Sequence, residues 1–114
     1  MWYILNSNHD IIQVDAERCA EWFSADNFSD NRRVGLDYIG SFRVSTVFLG
    51  IDHGFGDDTH VLFETTVFKD INSDLFHKRY KTWDDSVEGH AKTIESIANS
   101  LNSPDGEVRF ELNA

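Results

Sequence analysis

This chain of 114 residues contains one cysteine and one proline. A single cysteine excludes an intrachain disulfide, and no apolar run is long enough to span a bilayer. Basic residues are scarce: 10 Lys and Arg stand against 20 Asp and Glu, a formal net charge of −10. Direct binding to nucleic acid or to an anionic membrane is therefore disfavoured, because phosphate contact needs a basic face. Met1–Leu5 leads straight into Asn6-Ser7-Asn8-His9-Asp10, which is not a signal-peptide pattern; a reduced, cytoplasmic setting is expected. The sequence has no G-x-S-x-G, Walker-type or dinucleotide glycine motif, and Gly54 and Gly56 form only a G-x-G with no helix after it.

What the chain does have is apolar bulk. Hydrophobic residues make up 40% and aromatics 13%, enough for one packed domain over residues 1–114 and too much for global disorder. Trp2–Leu5 and Ile11–Val14, separated by the turn-forming Asn6–Asp10, predict a hairpin. Asp15 is placed to cap a short helix over Ala16–Phe23, with Cys19 on its inner face as packing. Phe42–Leu49 and Val61–Phe68 alternate as strands and are expected to pair antiparallel. Asn27–Gly35 reads as turn-rich, residues 36–41 are ambiguous, and Lys69–Lys81 reads as irregular.

Thr82 with Asp85 predicts a capped start for a long helix, its apolar stripe being Trp83, Val87, Ala91, Ile94, Ile97, Ala98 and Leu101. Pro104 ends it, and Glu107–Leu112 alternates as a closing strand. The expected fold is α+β: an antiparallel sheet of about five strands, with the long C-terminal helix and the short N-terminal helix packed on it.

Gly50-Ile51-Asp52-His53-Gly54-Phe55-Gly56-Asp57-Asp58-Thr59-His60 is the segment densest in ligand-capable groups, and loops on rigid sheets often carry function. Asp52 and His53 are weak metal candidates, because the spacing fits neither a calcium loop nor the known zinc patterns; the plain alternative is a solvated hairpin loop. Glu64 interrupts an apolar strand. Desolvated, it would suit acid–base work; on the solvent side it would pair across the hairpin with Arg43. His90 lies on or beside the helix stripe, after a mid-helix Gly89 that costs about 1 kcal/mol relative to Ala. Such a glycine implies a close neighbour. His90 is then either a base or ligand facing the sheet, or a core histidine bonded to a backbone carbonyl. Arg79 and Tyr80 form a possible anion-binding pair, and no cofactor is indicated.

The ordered segments Arg43-Val44-Ser45-Thr46-Val47-Phe48-Leu49-Gly50-Ile51-Asp52-His53-Gly54-Phe55-Gly56, Leu62-Phe63-Glu64-Thr65, Arg79-Tyr80-Lys81-Thr82-Trp83 and Gly89-His90 resemble a group of small bacteriophage and prophage proteins with no assigned activity. The resemblance spans about residues 42–91, and this chain departs from it at Asp57-Asp58-Thr59-His60. It implies a phage-type setting in the host cytoplasm and points to Asp52, His53, Glu64, Arg79, Tyr80 and His90. The leading expectation is a small acidic accessory protein that binds a host or phage protein, acting as an inhibitor of a host defence system of the anti-CRISPR or DNA-mimic kind. The alternative is a small metal- or ligand-binding enzyme in which Asp52, His53, Glu64 and His90 converge. Homo-oligomerisation through a sheet edge, such as the C-terminal strand, is a third expectation.

Overall fold

In the computed structural model, residues 1–24, 32–51, 61–70 and 73–102 are described, with the backbone alone at 70, 73 and 74. The chain forms β1 (Trp2–Leu5), β2 (Ile11–Val14), α1 (Ala16–Ser24), β3 (Arg33–Ile39), β4 (Phe42–Phe48), β5 (Phe63–Asp70), β6 (Ser73–Tyr80) and α2 (Trp83–Leu101). It is an α+β fold. β1 and β2 make a two-stranded antiparallel hairpin, and β3-β4-β5-β6 form a four-stranded antiparallel meander. α2 packs on the meander and α1 packs against β1. No helix among the described residues is long and apolar enough to cross a membrane.

Local chemistry explains most of these elements. At the first turn, the Asn6 side-chain oxygen accepts from the Asn8 and Asp10 amides, each at 2.9 Å. His9 takes a positive φ of 64° there and stacks on Trp83, ring centroids 3.7 Å apart. Asp15 caps α1 by accepting from Arg18 N at 2.8 Å, and Thr82 caps α2 by accepting from Asp85 N at 3.0 Å. The hairpin joins the meander at Gly50, whose carbonyl accepts from Tyr3 N at 2.9 Å. Gly50 has φ +76°, and a side chain there would also strike the Phe23 ring, so only glycine fits without strain.

Three expectations need correction. The segment expected to be irregular contains β6. Residues 33–39 form a strand, β3, where turn and ambiguous chain were expected. The buried side of α2 is Ser86, Gly89, His90, Thr93 and Ile97, whereas Val87 is 45% exposed. Of the expected stripe, Ile97 is buried and Trp83 and Ile94 pack against the core clusters, but small and polar residues share that side and let the helix backbone lie close to the sheet. The expected strand Glu107–Leu112 lies outside the described residues.

Two apolar clusters hold the sheet to its cover. One joins Tyr3, Leu5, Phe48, Leu62, Phe63 and Tyr80, with Trp22, Phe23 and Trp83 against it. The other joins Phe42, Val44, Val67, Phe76 and Ile97. Each fully buried residue of Phe or Val type contributes about 1.5–3 kcal/mol. Between the clusters runs a polar row.

Candidate functional site

Strand register builds that row. Gly35 pairs with Thr46, Thr46 with Thr65, and Thr65 with Lys78, so one line of residues crosses all four strands. His90 descends onto it from α2. A methyl group at Gly35 would lie 2.8 Å from His90 Nε2, so the glycine makes room for the imidazole. His90 Nδ1 is 2.7 Å from Thr46 Oγ1, and His90 Nε2 is 2.7 Å from Asp37 Oδ2. Thr46 Oγ1 and Thr65 Oγ1 are 2.5 Å apart. Both threonines are fully buried and His90 is 7% exposed, while the Asp37 side chain remains 54% exposed at the sheet edge.

Donor–acceptor logic orients this chain. An ionised carboxylate only accepts, so His90 Nε2 donates to Asp37. In the neutral ring Nδ1 then accepts from Thr46, which leaves Thr65 to donate to Thr46. The order carboxylate, imidazole, hydroxyl matches that of hydrolase triads. Thr46 has no solvent access, however, so its hydroxyl cannot meet a substrate in this conformation. What the array does chemically is satisfy four polar groups in an apolar surrounding.

At the β6 end of the row, Tyr80 packs on α2. A methyl group at Gly89 would overlap the Tyr80 Cε1, Cζ and hydroxyl. The close neighbour implied by a mid-helix glycine is therefore the Tyr80 ring. Burial pushes the Tyr80 pKa up, and the nearby Thr65 and Thr93 hydroxyls pull it back in part. Neither reaches the geometry of a directed bond, so the phenol oxygen is buried without a hydrogen-bond partner. Beside it, between β6 and α2, lies a cleft of about 360 Å³ lined by Lys78, Arg79, Tyr80, Lys81, Asp85, Glu88, Gly89 and Lys92.

The opposite face of the sheet is a separate environment. Glu64 Oε2 accepts from Arg79 Nε at 2.8 Å, and Glu64 Oε1 accepts from the Thr66 hydroxyl at 3.2 Å with His77 Nδ1 3.7 Å away. Burial pushes the Glu64 carboxyl up, but the hydrogen bond and charge of Arg79, helped by Thr66 and His77, outweigh it and hold the group below its ordinary value. Glu64 is thus a paired carboxylate and not a raised acid. Its partner is Arg79 on β6 rather than Arg43, because register puts Val47, not Arg43, across from Glu64 on β4. Arg43 instead lies over the Phe68 ring at 4.3 Å.

The sequence candidates therefore separate. Glu64 and Arg79 share one face and His90 and Tyr80 the other, so Glu64 and His90 do not converge, while Arg79 and Tyr80 both line the cleft between β6 and α2. His90 faces the sheet, bonded to side chains and not to a backbone carbonyl. Asp52 and His53 lie outside the described residues. Among the described residues, no group of three or more His, Cys, Asp or Glu side chains could hold a metal ion. Asp37, Thr46 and Thr65 were not singled out from sequence, although threonines at inward positions of two apolar strands were a usable signal. Compared with protein-family models, curated proteins and solved structures, the chain matches none of them.

Proposed function

We propose that this chain is a small accessory protein that works by binding a protein partner through the sheet face opposite α2. The observation that supports this reading is the make-up of that face. Tyr38 is 70% and Leu75 48% exposed, next to half-buried Leu36, Val47 and Phe68 and the Arg43 guanidinium. Exposed tyrosine and arginine around an apolar centre are the residue types that dominate binding energy at protein interfaces. Glu64 and Arg79 on the same face neutralise each other, leaving the aromatic and aliphatic groups to define the patch. The catalytic alternative loses ground because Glu64 and His90 face opposite sides of the sheet.

The resemblance of residues 42–91 to phage-encoded proteins makes bacterial defence proteins in the host cytoplasm, including CRISPR effectors and nucleases, the first partners to test. Acidic side chains on the outer side of α2, among them Asp84, Asp85, Glu88 and Glu95, would steer association with a basic partner. The experiment mixes purified protein with purified effectors and follows complex formation and nuclease inhibition. Tyr38→Ala and Leu75→Ala should each weaken the complex by about tenfold or more while the fold persists. A complex indifferent to both substitutions, or none with any effector, would defeat the proposal. Self-association sensitive to the same two changes would instead make the partner a second copy of the chain.

A further inference from the structure

We infer that the outer edge of β2 is a docking site for an extended segment of a partner protein, one with β-branched side chains between basic ends. This site belongs to the hairpin and does not rest on the sheet face opposite α2. Tyr3 N donates to Gly50 O, and Asn6 N donates to Asp10 O. Tyr3 opposite Gln13 and Leu5 opposite Ile11 are therefore the pairs that exchange no ladder bonds. It follows that the N–H and C=O groups of Ile11 and Gln13 point away from β1. Gly50 and Ile51 occupy the far side of β1, whereas no described strand pairs with β2 on its outer side. Two donor–acceptor sets thus face outward, the requirement for adding a strand.

The side chains of the hairpin fit the same role. Alternation puts Tyr3, Leu5 and Ile11 in or against the core, and Trp2, Ile4, Ile12 and Val14 on the reverse face. There Trp2 and Ile12 are each 40% exposed, so an added strand would lay alternate side chains against apolar neighbours. β3 and β6, the outermost strands of the meander, carry Arg33 and Asp37 or Lys78 and Arg79, and their register shifts. Such features discourage pairing. β2 reads Ile11-Ile12-Gln13-Val14 in unbroken register, with no charge and no proline. Charge then selects the occupant. Exposed Asp10 and Asp15 bracket the strand, while Arg18 is paired with Glu21 at 3.8 Å. A second copy paired antiparallel would set Asp10 of one chain beside Asp15 of the other, which is repulsive. A foreign strand with basic ends meets both carboxylates favourably.

The test titrates the full chain with a capped synthetic peptide of alternating valine and threonine between terminal lysines, read by amide-resolved NMR. Saturable shifts centred on residues 10–15, with slowed hydrogen exchange at the Ile11 and Gln13 amides, are expected at about millimolar peptide or below. The same peptide with terminal glutamates, or with N-methylated valines, should not saturate. Gln13→Pro removes a donor that the hairpin does not use and should weaken binding by about fivefold or more. Ile12→Lys leaves the main chain intact and should do the same by repelling the basic peptide. Asp10→Asn and Asp15→Asn, the latter keeping a good helix cap, should each weaken it by about twofold to fivefold. Tyr38→Ala and Leu75→Ala should bind the peptide like the parent, which separates this edge from the sheet face. The inference is overturned by an absence of saturable shifts, by equal binding of the glutamate peptide, or by variants at 10, 12, 13 and 15 that bind like the parent. A dimer abolished by Gln13→Pro in a chain that ignores the peptide would also overturn it, assigning the edge to a second copy.

Discussion

Replacing Thr46 by valine isolates the polar row, since the two side chains have nearly the same shape. The hydroxyl at 46 makes two short contacts, to His90 Nδ1 at 2.7 Å and to Thr65 Oγ1 at 2.5 Å. Valine removes both at once. His90 Nδ1 loses its donor and Thr65 loses its acceptor, in a site where Thr46 and Thr65 have no solvent exposure. Each stranded group costs about 1–3 kcal/mol, and the extra methyl returns about 1 kcal/mol of apolar burial. The expected loss is about 2–4 kcal/mol, a large share of a small domain's stability. Urea unfolding followed by tryptophan fluorescence measures it, with an unchanged m-value showing that the compactness of the end states is preserved. Thr46→Val combined with Thr65→Val strands only the imidazole nitrogen, so the double variant should be more stable than Thr46→Val alone by about 1 kcal/mol or more. A Thr46→Val protein as stable as the parent, or a double variant less stable than the single one, would refute the hydrogen-bond account of this row.

Gly89→Ala should destabilise by about 1–2 kcal/mol, because overpacking against the buried Tyr80 ring (typically about 1–3 kcal/mol) exceeds the helix-propensity gain of about 1 kcal/mol. In a Tyr80→Ala background the same change should stabilise, and thermal melts that show stabilisation in both backgrounds would sink this reasoning. Because the folded pKa of Glu64 is depressed, its contribution is present above the unfolded value near about 4.3 and is lost as pH falls through the folded value. Arg79→Ala should flatten that acid-side loss and lower neutral-pH stability by about 1 kcal/mol or less, since Arg79 is half-exposed; superimposable acid-unfolding profiles would contradict it. Burial pushes the Cys19 thiol up, with the Tyr3 carbonyl contact pulling it back only in part, so a disulfide reagent at mildly alkaline pH should modify it far faster in urea than in the native protein. Equal rates would show that α1 does not shield it.

Fold legibility followed the strength of the local signals. Thr82 with Asp85, Asp15 before α1, and the alternation of Phe42, Val44, Thr46 and Phe48 each act within a few residues, so the sequence displays them directly. β6 was hidden because it is an edge strand whose helix-facing slots are Phe76, Lys78 and Tyr80 and whose other slots include His77 and Arg79. A lysine in an inward slot and charges on an edge erase the two-residue alternation while protecting the edge from further pairing. The buried side of α2 was legible only in part, at Trp83, Ile94 and Ile97, for a related reason. Gly89, His90 and Thr93 meet the sheet because Tyr80, Thr46 and Gly35 accommodate them, and those partners lie 9 to 55 residues away in the chain. Of the candidate site, His90 and Tyr80 were visible as unusual residues. Their partners depend on strand register, which no local pattern encodes.

The threonine row also acts as a registration mark for the meander. Sliding β4 along β5 by two residues keeps every side chain on its own side, so alternation alone permits that error. Such a slide would set Thr46 against Phe63 or Val67 in place of Thr65 and strand both hydroxyls in hydrocarbon, at about 1–3 kcal/mol apiece. The misaligned sheet would thereby forfeit much of what holds a domain of this size together. Two otherwise unremarkable threonines thus serve as the index teeth that let only one alignment of these strands close.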